Sequence, residues 1–194
     1  MLLQHEKLAS AKLDSLQCFW YGAAPMSAAR LEEALVKIGP VMAQLFGQTE
    51  APMMISMMAP REHFNPDGTI ARQRLTSAGR PGPLVQVAVM DANGTLLPTG
   101  GSGEIVVRGS LVMLGYYKDP EKTAKTFRTI DGVRYSMPGD WCRVEADGTL
   151  TLLGRGSVCI NTAGEKVYPE EVEEALKTHP AIADALVVGV PDER

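Results

Sequence analysis

Cysteine is scarce in this chain. Cys18, Cys142 and Cys159 lie far apart, in no CxxC pair and in no even framework. That argues against a disulfide-stapled secreted scaffold and points to a reducing, cytosolic compartment. Histidine is as rare, and His5, His63 and His179 have no metal-ligand spacing. Each reads as a solvated or internally satisfied side chain. No stretch approaches the roughly 18 apolar residues of a membrane span. The opening MLLQHEKLAS is too polar for a signal peptide. Runs of five or more like charges are missing. The net charge of -4 argues against a nucleic acid or an anionic membrane surface as partner. Internal repeats and low-complexity segments are missing too.

What is present suits a globular core. The 194 residues are 45% hydrophobic, enough for one large domain or two small ones. The last residues, VVGVPDER, read as a buried strand running into a turn. Little sequence remains to supply that strand with neighbours, so a fragment of a longer protein is expected.

Local patterns place the elements. Residues 27–38 form a helix that Ser27 can cap, with Leu31, Ala34, Leu35 and Ile38 at helical spacing. Gly39-Pro40 ends it. Residues 41–45 read as a short strand, which puts FGQTEAP, residues 46–52, in the loop after it. In open α/β sheets ligands bind outside the carboxyl ends of strands. From about Gly79 to Leu153 short strands alternate with Asn93-Gly94, Asp131-Gly132 and Asp147-Gly148 turns. That texture predicts a small antiparallel sheet or barrel. Asp119-Pro120 opens a short helix. The texture changes again after Gly154-Arg155-Gly156-Ser157, where a domain boundary is expected, and residues 169–178 form a helix with Val172, Ala175 and Leu176 inward. Residues 185–190 form a strand.

Five polar clusters interrupt this frame. Tyr21-Gly22-Ala23-Ala24-Pro25 is small and flat, so a planar ring can approach its backbone. Phe46-Gly47-Gln48-Thr49-Glu50 sets a hydroxyl and a carboxylate between apolar runs. Pro138-Gly139-Asp140 puts a carboxylate at a turn. Gly154-Arg155-Gly156 and the loop from Asn161 to Lys166 add cations. Carboxylates suit ribose hydroxyls, Arg and Lys suit phosphates, and a glutamate suits Mg²⁺ that bridges phosphates. Each cluster alone is commonly a plain turn. Together they make a nucleotide kit.

In order and spacing, the chain resembles the adenylate-forming superfamily of acyl-CoA synthetases, adenylation domains and beetle luciferases. GAAP, residues 22–25, resembles its small-residue wall. FGQTE resembles its Tyr-Gly-x-Thr-Glu signature. GEIVVRGSLVMLGY, residues 103–116, matches its Gly-Glu-Leu block. Gly139-Asp140 matches its Thr-Gly-Asp block, with Pro138 for threonine. GRGSVCINTAGEKVYPEEVE, residues 154–173, matches its hinge block. Several ordered blocks are far more specific than a lone glycine-rich motif.

The resemblance implies an α/β fold with a β-rich part. Residues 1–154 would be the end of the large AMP-binding domain, with its small barrel at about 79–153. Residues 155–194 would be the hinge and the start of a small α+β domain. It also implies roles. Thr49 would bond the α-phosphate and Glu50 would hold Mg²⁺, making these the catalytic pair. Gly22, Ala23, Ala24, Gly47 and Gln48 would line the adenine and acyl sites through their backbone. Asp140 and Arg155 would hold the ribose. Lys166 stands where relatives often carry a phosphate-binding arginine. Gly164 would lie along the CoA arm, and Ser157 would be the hinge. The substrates implied are ATP, CoA and a carboxylic acid. The hinge block resembles that of bacterial ligases for long-chain or sterol-side-chain acids, and the apolar Met53 to Met58 fits a greasy pocket.

Departures from the pattern matter. Ser157 replaces an Asp or Lys, and Asn161 replaces a lysine of some relatives. Nothing resembles the family's Ser/Thr/Gly-rich phosphate loop or the lysine of its small domain. The expectation is therefore part of a cytoplasmic acyl-CoA synthetase, inactive as these residues alone. The alternatives are a non-catalytic remnant or an adenylation domain that feeds a carrier protein.

Overall fold

The computed structural model describes residues 2–190 apart from Pro25, Pro138, Ser157, Val158, Ala163, Gly164, Glu165 and Pro180, with Asn161 and Lys166 described in backbone alone. Strand β1 (Phe19–Gly22) leads through helix α1 (Ala28–Lys37) into the parallel strand β2 (Met42–Gln48). Ser27 caps α1 as its pattern requires: its hydroxyl accepts from the Arg30 amide at 3.2 Å. Leu31, Ala34 and Leu35 then face inward onto Met42 and Leu75. β2 turns directly into the antiparallel β3 (Ala51–Met58), and β4 (Arg80–Pro81) closes a sheet of order β1-β2-β3-β4.

The second sheet is antiparallel, as the Asp-Gly turns predict. It contains β5 (Val85–Met90), β6 (Leu96–Leu97), β7 (Ser102–Gly109), β8 (Phe127–Ile130), β9 (Val133–Ser136), β10 (Asp140–Val144) and β11 (Leu150–Arg155). The order is β11-β10-β7-β5-β6, with the β8–β9 hairpin attached to β7. Between β7 and β8 lies α2 (Pro120–Thr126). The Asp119 carboxylate accepts from the Lys122 amide at 2.9 Å at its start. The two sheets share a core in which Ala51 and Ile55 of β3 meet Val85, Val89, Ile105, Val107, Cys142 and Leu150. Burying such side chains is worth about 1.5–3 kcal/mol each.

Beyond β11 come the short pair β12 (Ile160–Asn161) and β13 (Lys166–Val167), then α3 (Pro169–Lys177). Two expectations fail here. Ala175 and Leu176 of α3 point to water, Leu176 being 42% exposed, and Pro169 alone of this helix is buried. Residues 185–190 form no strand. An apolar strand pattern gives a strand only where a ladder partner and a covering layer exist, and among the described residues neither meets this segment. The Val187 amide ties the segment to α3 by donating to Glu173 at 2.9 Å, and the Ala185 amide donates to the neighbouring Asp184 carboxylate at 2.9 Å.

Candidate active site

The heptapeptide FGQTEAP is not a loop after a strand. Phe46, Gly47 and Gln48 belong to β2, Ala51 and Pro52 belong to β3, and Gln48 pairs with Ala51. Thr49 and Glu50 are therefore the two tip residues of a tight hairpin. Phe46 pairs with Ser56, so β3 carries Pro52 to Ile55 opposite Gly47 alone. The strand bulges there, and Met53 takes a left-handed backbone at φ 62. A side chain at Gly47 would overlap the Met53 backbone. The methionine run consequently divides. Met58 and the neighbouring Ile55 are core, whereas Met53 is exposed.

The hairpin tip is held from outside. Met113 donates its amide to the Glu50 carbonyl at 2.9 Å. The Tyr116 hydroxyl donates to the Glu50 carboxylate. Tyr116 is fixed in turn. Its amide donates to the Thr123 hydroxyl at 2.9 Å, and the Lys122 ammonium sits 3.9 Å from its ring centroid. The bond to Glu50 pushes the Tyr116 phenol up to about 12. Glu50 is thus oriented by a residue 66 positions away.

Asp140 opens β10 and faces Arg155 at the end of β11 in register. It is a buried carboxylate, 9% exposed. The Arg155 Nε lies 3.2 Å from its Oδ1, and the Gln48 amide donates to its Oδ2. Burial pushes the Asp140 carboxyl above its ordinary range; Arg155 and Gln48 oppose that rise, and the negative charge of Glu50 adds to it. Gln48 at the end of β2 and Asp140 and Arg155 at the β10–β11 edge therefore meet, with the Thr49–Glu50 tip next to Gln48.

Gly22 ends β1 and Ala23 and Ala24 follow it, all three exposed. A Cβ on Gly22 would strike the Leu45 carbonyl of the neighbouring strand, so glycine is required for the close pairing. Ala23 is held at φ 64, a strained setting for a residue with a side chain. Nearby, His63 is buried and satisfied. Its Nε2 lies 2.9 Å from the Tyr21 hydroxyl and its Nδ1 lies 3.1 Å from the Ala59 carbonyl. Lys166 is in β13, paired with Asn161, and its side chain lies outside the described residues, as do Gly164 and Ser157 altogether. Among the described residues no group of three or more His, Cys, Asp or Glu side chains could hold a metal ion, and no helix is long and apolar enough to cross a membrane.

Sequence reasoning selected Gln48 for its backbone and passed over Tyr116 as a contributor. The signal for both was available: each is a polar side chain inside a block whose other members carry chemistry.

The α/β body thus sets a carboxylate–arginine pair beside a Thr-Glu hairpin. The chain belongs to the AMP-binding enzyme family: that family matches residues 1–117, and the AMP-binding enzyme C-terminal domain matches residues 171–194. It is 58% identical over 130 residues to the 3-oxocholest-4-en-26-oate–CoA ligase of Rhodococcus rhodochrous, covering 64% of this chain and 23% of that protein. It is 39% identical over 193 residues to the medium/long-chain-fatty-acid–CoA ligase FadD8 of Mycobacterium tuberculosis, covering 100% of this chain and 32% of that one. Its fold is similar to that of the amide bond synthetase McbA from Marinactinospora thermotolerans, with a TM-score of 0.88 and 36% identity over 99% of this chain and 37% of that structure. The chain thus spans a third or less of the curated relatives named here.

Proposed function

We propose that these residues form the nucleotide-binding end and the hinge of an acyl-CoA synthetase that activates a fatty or sterol-side-chain acid with ATP. The observation that carries this reading is the meeting of Gln48, Asp140 and Arg155 beside the Thr49–Glu50 tip. Asp140 accepts the ribose hydroxyls and Arg155 supports it. Gly22, Ala23, Ala24 and Gly47 offer adenine and the acyl group a flat backbone. The Thr49 hydroxyl bonds the α-phosphate. The reaction is attack of a carboxylate oxygen on the α-phosphorus with pyrophosphate leaving, a step helped mainly by positioning and charge neutralisation. The acyl adenylate then passes to the thiol of CoA.

The residues fit Mg²⁺. That ion keeps several waters and takes one or two carboxylates together with substrate phosphates. Glu50 offers one oxygen while Tyr116 occupies the other. When bound, the ion neutralises phosphate charge. Residues 155–194 are the hinge and the start of the second domain, with Ser157 as pivot, Gly164 against CoA and Lys166 near phosphate. Cytoplasmic placement rests on the scarce, unpaired cysteines. Likeness to the fatty-acid and 3-oxocholest-4-en-26-oate ligases supports an apolar acid as substrate. A second reading, transfer of the acyl group to an amine, is favoured by the likeness to an amide bond synthetase.

AMP titrated into the chain should bind with a Kd on the order of 1 mM. The wall, Asp140 and Arg155 are present, but no phosphate loop is recognisable in the sequence. Binding should vanish in Asp140→Ala. Equal affinity in the two proteins would remove the assignment.

A further inference from the structure

Two arginines of the second sheet line one cavity that has no carboxylate in its walls. The cavity, of about 560 Å³, lies where β5 begins, β7 ends and β9 begins. Leu84, Gln86, Arg108, Val133 and Arg134 are among its walls. Among the described residues the Arg108 guanidinium bonds Gln86, the Arg134 guanidinium bonds backbone carbonyls, and no ion pair reaches either.

Both cations are held in place by the protein itself. Gln86 stands opposite Arg108 in register, and its Oε1 accepts from the Arg108 Nε at 2.8 Å and from Nη2. The Tyr135 ring centroid lies 5.9 Å from the same guanidinium. Arg134 donates to the Met113 and Leu114 carbonyls at 3.2 and 2.8 Å and lies 3.7 Å from the Phe127 ring centroid. Ordering a long cationic side chain costs rotamer entropy. Where protein contacts have already imposed that order, an anion binds at a smaller penalty.

The donors left over define the ligand. A guanidinium has five N–H groups. Arg108 gives two to Gln86 and Arg134 gives two to carbonyls, which leaves three on each. The Gln86 oxygen faces Arg108, so its amide N–H groups turn away from that bond and add donors. A carboxylate brings a single negative charge. A phosphate monoester brings a charge of about -1.5 to -2 and three strong acceptor oxygens. Two fixed cations with forked donors match the monoester in charge and in geometry. Beside them Leu84, which is 56% exposed, and Val133 offer an apolar wall.

We propose that this cavity binds a phosphate monoester, with Arg108 and Arg134 holding the phosphate and Leu84 and Val133 receiving the group esterified to it. None of these residues enters the nucleotide reading above, so the two are tested separately.

The test follows the arginine Nε–H resonances of the 194-residue chain by NMR at constant ionic strength. The added probes are phenyl phosphate, methyl phosphate and acetate. Phenyl phosphate should shift Arg108 and Arg134 along one saturating curve. Methyl phosphate should bind more weakly, because it leaves Leu84 and Val133 uncovered. Acetate should bind about tenfold more weakly than methyl phosphate, the worth of one charge-assisted hydrogen bond. Arg108→Gln should weaken phenyl phosphate about tenfold, and Arg61→Gln, which removes a charge elsewhere, should leave it unchanged. Arg108→Lys keeps the charge and the packing without the fork, and should weaken binding about threefold. Sedimentation with phosphatidate vesicles locates the ester. Co-sedimentation that Arg108→Gln abolishes would place it on a lipid, and none would place it on a soluble molecule; the site stands in both cases. Acetate binding as tightly as methyl phosphate would overturn the proposal. So would equal losses in Arg61→Gln and the Arg108 variants, or no shift at either arginine in millimolar phenyl phosphate.

Discussion

In the two-sheet body Ile55, Ile105, Val106, Val107, Cys142 and Leu150 are fully shielded from water. Beyond Gly156, Pro169 is the one buried residue among those described, and Leu186 and Val190 are 84% and 80% exposed. Both regions are rich in apolar residues, so composition does not separate them. Layering does. The strands of the body have ladder partners, and β3, β5, β7, β10 and β11 share the core between the sheets, whereas α3 and the segment after it have little to pack against. Gln48, Glu50, Asp140 and Arg155 all stand on the packed region, where strands hold side chains in place. The thinly packed region is where the family resemblance puts the moving parts, and low contact density is what a part that must reorient requires.

The comparison breaks most readily at the core. Ile105→Ala should cost about 2–5 kcal/mol in urea unfolding, since it leaves a cavity between the sheets. Leu186→Ser should fall within about 0.5 kcal/mol of wild type. Similar losses would mean that the C-terminal segment is packed after all. Next in size, Asp140→Ala should remove about 2–3 kcal/mol of AMP binding while leaving the fold intact by circular dichroism. Weak binding with lost structure would make Asp140 a scaffold residue instead.

The pair at the hairpin tip should give a smaller effect. Tyr116→Phe should lower stability by about 1 kcal/mol, discounted because the pair is only half-buried. In a double-mutant cycle with Glu50→Gln the two losses should not add, because each removes the same bond. Strict additivity would deny the contact. The smallest effect is in pH. Burial holds the His63 pKa in the folded state below its ordinary value. The unfolded chain therefore takes up that proton first, and stability should decline as pH falls below about 6.5. His63→Gln should flatten that decline in thermal melts between pH 7 and 5.

Much of this was legible in the sequence because it is local. Ser27 capping α1, Asp119-Pro120 opening α2, and the Asp131-Gly132 and Asp147-Gly148 turns all act within four residues or fewer. Thr49, Glu50, Asp140 and Arg155 were singled out through ordered blocks, and the fold brings Asp140 and Arg155 together beside Gln48. The misses are long-range. Gln48 reaches Asp140 across 92 positions and Tyr116 reaches Glu50 across 66, and no periodicity encodes such pairs. The Thr49–Glu50 turn was missed because it lacks the Asn-Gly or Asp-Gly usual in tight hairpins. Residues 185–190 show the opposite error: a strand pattern without partners.

Amide hydrogen exchange with and without saturating AMP tests the central claim most directly, that a nucleotide site is built on the packed sheets and not on the segment after them. AMP should slow exchange at residues 47–50, 139–142 and 154–155 and leave residues 181–190 unchanged and fast. Exchange at the Thr49–Glu50 tip and at Asp140 that ignores AMP, or protection confined to residues 181–190, would contradict it.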